Sequence, residues 1–350
     1  MQNNIEIQKL MTVEQARKKI PLKKIHENQI IQDRKEIIDI IKGKDDRLLI
    51  IVGPCSAWPN EAVRVYAEQL VELAKLYKNN IKIVMRVYTQ KPRTTVGWPG
   101  VALQPDPFAC PDVNAGIIYV RKMMREIIEL GLPIADEILF TNLFESRSDM
   151  LSWAAIGARS SEDQEHRAFA SGVDFAVGIK NPTSGNLKIG INGVISAQSE
   201  HVYVKRCNQI VSKGNAYAHL VLRGGTEGSN YSFAHLKQIV KLYKKHDIRN
   251  PAIIIDASHD NTRIDDTKDY TRQSKIIDSV LRFCRKNSDI KKIMKGFLIE
   301  SFIKQGNQDL NQMSKENIDL GGLSITDACI GINETRTLME KIVQFRKNNN

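Results

Sequence analysis

The sequence has few cysteines and none in a C-x-x-C spacing. Cys55, Cys110, Cys207, Cys284 and Cys329 are scattered along the chain and odd in number. A disulfide framework and a structural zinc knuckle are thereby disfavoured, and each cysteine reads by default as a reduced, buried thiol. There is no run of 18 or more apolar residues, so no transmembrane helix and no membrane partner are expected. The opening stretch MQNNIEIQKLMTVEQ lacks the basic-then-apolar layout of a signal peptide, and a cytoplasmic location is expected. G-x-G-x-x-G after a strand, G-x-x-x-x-G-K-[ST] and G-x-S-x-G are all missing, which points away from a nucleotide cofactor and from an activated serine. Internal repeats, low-complexity segments and an obvious linker are absent as well.

What the chain does have is positive charge: 51 Lys+Arg against 40 Asp+Glu, a net +11. Such a balance suits either nucleic acid or a cleft for anionic small molecules. The lysines are scattered, with only short clusters such as Lys241, Lys244 and Lys245, and no RRM, KH or zinc-finger signature accompanies them. They read as a solvated surface, and no nucleic-acid partner is expected.

A regular beat runs through the 350 residues: a short apolar run, a polar turn, then a helical pattern. The runs are LLIIVGPCS, IKIVMRV, PIADEIL, AIGARSS, FAVGIKN, AHLVLRGG, PAIIIDASH and IMKGFLIES. Helical patterns are expected near 60–78, 114–130, from about 142, at 162–171, 233–246, 275–286 and 327–345. The runs lack polar alternation, as strands covered on both faces do. Eight strands alternating with helices predict an α/β fold, a (β/α)8 TIM barrel, with a doubly wound open sheet as the competitor. Residues 1–46 form an N-terminal arm of two helices, the second ended by Gly43. Residues 47–350 form the barrel. An insertion at about 188–215, a helix plus a small hairpin, precedes the sixth strand.

The ends of the runs favour the barrel. In order they carry Cys55, Arg86, Glu137, Arg159, Lys180, Arg223, His259 and Glu300. In a barrel these ends converge on one mouth, where active sites of that fold lie. Cys55, His259 and Glu300, with Asp327 after the eighth run, make a mixed soft and hard donor set. It suits one divalent transition ion (Mn, Fe, Co or Zn) and not calcium. Arg86, Lys91, Arg93, Arg159, Lys180 and Arg223 are the second group. Placed together they would repel one another unless an anion belongs among them, and their number suits two phosphorylated substrates. The segments SSE (160–162) and RGG (223–225) are expected to add backbone N–H groups for phosphate near helix starts. A lysine at a strand end also raises Schiff-base chemistry through Lys180, whereas a metal in the same mouth argues for Lewis-acid activation of a carbonyl.

GPCS (53–56), MRVYTQKPRTTVGW (85–98), WAAIGARSSEDQEHR (153–167), GIKNPTSGN (178–186), LRGG (222–225), DASHDN (256–261), IESFIKQGNQ (299–308) and LSITDACIG (323–331) resemble class I 3-deoxy-D-arabino-heptulosonate 7-phosphate (DAHP) synthases over nearly the whole barrel. KPRTTVGW and SITDAC are the most specific of these. The resemblance implies the first step of the shikimate pathway, toward the aromatic amino acids. Phosphoenolpyruvate, erythrose 4-phosphate and water become the seven-carbon keto acid phosphate and inorganic phosphate. It implies Cys55, His259, Glu300 and Asp327 as metal ligands, and Arg86, Arg159, Lys180 and Arg223 on phosphoenolpyruvate. Lys91, Arg93 and Thr94 fall to erythrose 4-phosphate, with Lys91 near the aldehyde. Glu137 matches the acidic residue beside phosphoenolpyruvate; it or a metal-bound group takes the proton of the water. Lys91, Glu137, Lys180 and His259 form the implied catalytic set, in a homodimer or homotetramer.

The KPRTT motif favours the four-carbon acceptor over the five-carbon acceptor of the octulosonate synthases. A catalytically dead RNA-binding scaffold is disfavoured by the intact ligand and anion positions. Phe144, Glu145, Asp174 and Lys205 depart from the residues common in the family's effector pocket, so weak or absent inhibition by phenylalanine and tyrosine is expected.

Overall fold

The computed structural model describes residues 3–348 apart from 94, 95 and 266. The eight expected runs are strands: β1 Leu48–Gly53, β2 Ile81–Arg86, β3 Ile134–Ile138, β4 Trp153–Ile156, β5 Ala176–Lys180, β6 His219–Leu222, β7 Ile253–Asp256 and β8 Met294–Glu300. All pair in parallel with their sequence neighbours, and β1 pairs with β8 (Gly53 opposite Glu300) to close the barrel. The open sheet is excluded. Among the described residues no helix is long and apolar enough to cross a membrane.

Strand side chains alternate between two faces, and this alternation divides the core in two. Outward-facing residues such as Ile50, Ile83, Ile134 and Ile156 pack under the helices. Inward-facing residues fill the barrel: Leu49 and Ile51, Val84, Ala135, Trp153 and Ala155, Val221, Ile254 and Leu298. Trp153 fits because β5 offers Gly178 beside its ring; a Cβ there would stand 2.4 Å from the indole.

The arm closes the bottom. Its helices are α1 Val13–Lys19, with a Thr12–Gln15 capping box, and α2 Lys24–Lys42, ended by Gly43 in the left-handed conformation (φ 73°). Ile37, Ile40 and Ile41 of α2 join the interior cluster, so the helix stoppers the N-terminal end of the barrel. Lys82 on β2 fastens it through Asp33 (2.6 Å) and Glu36 (2.9 Å).

Three expected helices differ. The one from about 142 is a single turn, Thr141–Phe144, followed by a 3-10 turn at Ser148–Met150. The reason is tertiary: Arg147 and Ser146 turn inward to bond buried partners instead of extending a helix. The last helix is Ile332–Lys347 rather than 327–345, because Cys329 and Ile330 make extended bridges to Gly306 and Ser301. Leu187–Ala197 lies on the barrel between β5 and β6 as that unit's own helix, so within 188–215 the part that departs from the beat is the hairpin Val202–Lys205/Asn208–Val211.

One buried group makes stability depend on acid. His219 lies inside the barrel, accepting from the Trp153 indole N–H at 3.2 Å and bonding the Tyr217 carbonyl through Nδ1 at 2.9 Å. It is therefore neutral, and burial pushes it down to about 4, against the pull of the Tyr217 carbonyl. A histidine lowered on folding binds its proton first in the unfolded chain, so stability falls as pH drops from about 6.5 to about 4, by roughly 3 kcal/mol. His219→Gln keeps both hydrogen bonds without the titration. Denaturation midpoints across that window should slope less in the variant; an unchanged slope would refute the assignment.

Candidate active site at the closed barrel's mouth

The functional side chains are the next inward positions above the apolar interior. Two residues beyond Val84, Ala135, Gly178, Val221, Ile254 and Leu298 stand Arg86, Glu137, Lys180, Arg223, Asp256 and Glu300. Each is no more than 7% exposed. On β4 the same position is Gly157, where a Cβ would stand 2.3 Å from Glu137 Oε1; glycine leaves room for that carboxylate.

This charged layer is not a set of repelling cations, contrary to the sequence expectation. Carboxylates interleave with it. Arg86 lies 2.9 Å from Glu300, Lys180 lies 3.4 Å from Glu137 and 3.9 Å from Asp256, and Arg223 lies 2.6 Å from Asp260. Tyr88 underlies the layer, with the Arg86 guanidinium 3.8 Å and the Lys180 ammonium 5.4 Å from its ring centre. Burial works against the charge on Arg86, but Glu300 together with Tyr88, Cys55 and Cys329 holds the guanidinium above its ordinary value. Burial likewise opposes the charge on Glu300, and its neighbours, His259 and the Arg86 guanidinium, hold it below the usual carboxylate range.

The metal expectation meets a donor cluster. Ligand atoms of Cys55, Glu300 and Asp327 all lie within 4.8 Å of one another. His259 stands beside this trio, with Nε2 3.7 Å from Glu300. Its Nδ1 is turned to Asp256 at 2.8 Å, the outer partner that orients a ligating imidazole and leaves Nε2 facing inward. Burial pushes His259 well below its ordinary value, the neutral form a ligand needs. Glu300 Oε1 is buried and meets Arg86 without a hydrogen-bonding angle, an under-used donor oxygen at the centre of the group. The residues present therefore fit a divalent transition ion. Asp327 is currently paired with Lys268 (2.6 Å), and Lys91 reaches Cys55 at its Sγ (3.0 Å) and its carbonyl (2.9 Å).

The remaining predicted residues line the same cavity of about 310 Å³. Arg86, Lys91, Arg93, Glu137, Arg159, Lys180, Arg223, His259 and Asp327 all border it. Thr94 lies outside the described residues. Of the two backbone anion sites expected from the sequence, RGG (223–225) is already used, and in SSE (160–162) the Ser160 N–H donates to the Gly157 carbonyl. Asp163 caps the helix Gln164–Ser171 and takes its free N–H groups at Glu165 and His166. Arg223 and Gly224 donate to Asn181 and Asn230, and Gly225 to the Gly228 carbonyl.

Residues 19–340 match the family model described as the DAHP synthetase I family. The chain belongs to that family. Among members of the DAHP synthetase I family, it is 40% identical to a Tyr-sensitive phospho-2-dehydro-3-deoxyheptonate aldolase of Escherichia coli K12, over 98% of this chain and 95% of that one. It is 36% identical to a phospho-2-dehydro-3-deoxyheptonate aldolase of Corynebacterium glutamicum, over 92% and 87%. A solved structure of the aldolase from Francisella tularensis SCHU S4 superposes with a TM-score of 0.91 at 34% identity, covering 98% of this chain and 99% of that one.

Four polar residues of this site were not singled out from the sequence: Asp256, Asp260, Tyr88 and Lys268. Asp256 could have been found, since it sits two residues beyond Ile254 on the inward face. Asp260 and Lys268 come from loops, where no periodicity tells which way a side chain points.

Proposed function

We propose that this chain is a DAHP synthase that condenses phosphoenolpyruvate with erythrose 4-phosphate and water, releasing phosphate. The observation that carries the reading is one cavity lined by cations together with His259 and Asp327, with Asp327 within 4.8 Å of the buried donors Cys55 and Glu300. Arg86, Lys180 and Arg223 in the buried layer, with Arg159 at the rim, would hold phosphoenolpyruvate. Lys91 and Arg93 would hold erythrose 4-phosphate, Arg93 on its phosphate. Cys55, His259, Glu300 and Asp327 would hold one divalent ion (Mn, Fe, Co or Zn), which supplies Lewis-acid activation of the aldehyde.

Bond by bond, the enol carbon attacks the aldehyde carbon and a carbon–carbon bond forms. Lys91, beside the donor set, gives a proton to the new alkoxide oxygen. Water adds to the substituted carbon and gives its proton to Glu137. The remaining hydroxyl then becomes the keto C=O, passing its proton to the departing phosphate as the carbon–oxygen bond to phosphate breaks. Glu137 is favoured as the base because Asp256 is occupied by His259 and Ser258. Lys180, between two carboxylates, suits a charged anion holder better than a nucleophilic amine.

The test is phosphate release from the two substrates. Release should stop with a chelator and return with one of these ions, and arabinose 5-phosphate should not replace the acceptor. No release from the four-carbon pair in any of these metals would sink the reading. Weak or absent feedback is part of the proposal. Glu145 is held by Lys205 (2.7 Å) and Arg206, and Phe144 is packed edge-on against Phe169. Phenylalanine or tyrosine below millimolar should leave the rate within about twofold, a free-energy change under about 0.5 kcal/mol. A homodimer or homotetramer is the proposed assembly, supported by the exposed Phe140, Val202 and Val204; a monomer mass by light scattering would remove that part.

A further inference from the structure

Behind the loop that carries Lys91 and Arg93 lies a buried polar network that the proposed chemistry does not use. The loop is closed at its neck by the Lys91 N–H donating to the Pro99 carbonyl (2.9 Å). Its root, Thr89 and Gln90, is buried. Asp136 faces outward on β3, back to back with Glu137. Its Oδ1 accepts from the backbone N–H groups of Thr89 (3.1 Å) and Glu137 (2.8 Å). Its Oδ2 accepts from the Thr89 hydroxyl (2.8 Å) and from Arg147 Nε (2.6 Å). The Arg147 guanidinium then donates to Gln90 Oε1 (3.0 Å).

Asp136 and Arg147 are at most 1% exposed. A buried ion pair is poor value as a stabiliser, since well-packed apolar residues hold a core as well. What this pair supplies is direction: four bonds converge on one carboxylate, two of them from Thr89, and the guanidinium adds a third contact to the loop root. From the other side the root is pressed by Gly100 (φ +97°), where a Cβ would come within 2.5 Å of the Thr89 carbonyl oxygen.

We propose that Arg147, fixed by Asp136, is a positioning residue: through Gln90 and Thr89 it sets where Lys91 and Arg93 stand over the cavity. This rests on the reading of that loop as the erythrose 4-phosphate site. Gln90 gives the cleanest test, because its Nε2 makes no hydrogen bond and Gln90→Met removes only the acceptor for Arg147.

Both KM values and the melting temperature would be measured for Gln90→Met, Arg147→Lys, Arg93→Ala and the Gln90→Met/Arg93→Ala double variant. Gln90→Met is expected to raise KM for erythrose 4-phosphate about tenfold, as loss of a hydrogen bond to a charged group does, with KM for phosphoenolpyruvate within about twofold. Arg147→Lys should show the same split. In the double variant, Gln90→Met should add less than about twofold to the loss from Arg93→Ala. Multiplying losses, or a lowered melting temperature with no KM split, would overturn the proposal. If Arg93→Ala raises both KM values alike, the substrate assignment of the loop fails, while non-additivity still supports positioning. Should Arg147→Lys not fold, Gln90→Met and its double variant decide alone.

Discussion

Cys55→Ala is expected to cut turnover by about a thousandfold or more and to weaken binding of Mn, Fe, Co or Zn by a similar factor, since a thiolate is the softest donor in the set. The thiol is 1% exposed, and burial, aided by the charge on Glu300, pushes it above its ordinary value. Metal binding must therefore displace a proton, so the affinity of the wild-type protein should rise about tenfold per pH unit until that thiol ionises. Calorimetry on chelator-treated protein reads both effects. Cys329→Ala is the control: its sulfur accepts the Cys55 backbone N–H at 3.4 Å but is not in the donor cluster. It should cost some stability and leave metal affinity within a few-fold. Metal binding near wild-type strength in Cys55→Ala would remove Cys55 from the ligand set.

Arg93→Ala is expected to raise KM for erythrose 4-phosphate about a hundredfold, the loss of a charge-assisted contact to a phosphate, while KM for phosphoenolpyruvate changes less than about twofold. The variant is informative because Arg93 is exposed, so the fold loses nothing with it. Arg86 would be a poor substitute. It is fully buried between Glu300 and Tyr88, and truncating it would leave a carboxylate uncompensated at a cost of about 3–5 kcal/mol. Equal losses for the two substrates in Arg93→Ala would undo the division of the mouth into two sites.

The strands and the site residues on them were legible because one pattern carries both. A run buried on two faces marks the strand, and the polar group that ends it marks the mouth; Arg86, Lys180 and Glu300 were all readable this way. Pairing was not legible. That Arg223 meets Asp260, or that Lys268 meets Asp327, depends on loop paths such as the short ribbon Arg263–Ile264/Thr267–Lys268. The stopper role of α2 was hidden too, since an amphipathic helix does not say which surface it will cover. The Asp163 cap is the opposite case: Asp163 stands just before Gln164–Ser171 in plain view, a residue type that takes the first free N–H groups of a helix.

The single inward layer has a consequence for damaged molecules. Because Val84 and Arg86, or Leu298 and Glu300, differ only by one pleat, a strand shifted by one residue would turn Met85 or Ile299 into the mouth and drive an arginine or a glutamate under the helices. Such a chain would lose its interior and its chemistry in the same step. A population weakened by mutation or heat should thus consist of fully competent molecules and inert ones, with catalytic output per correctly assembled barrel unchanged.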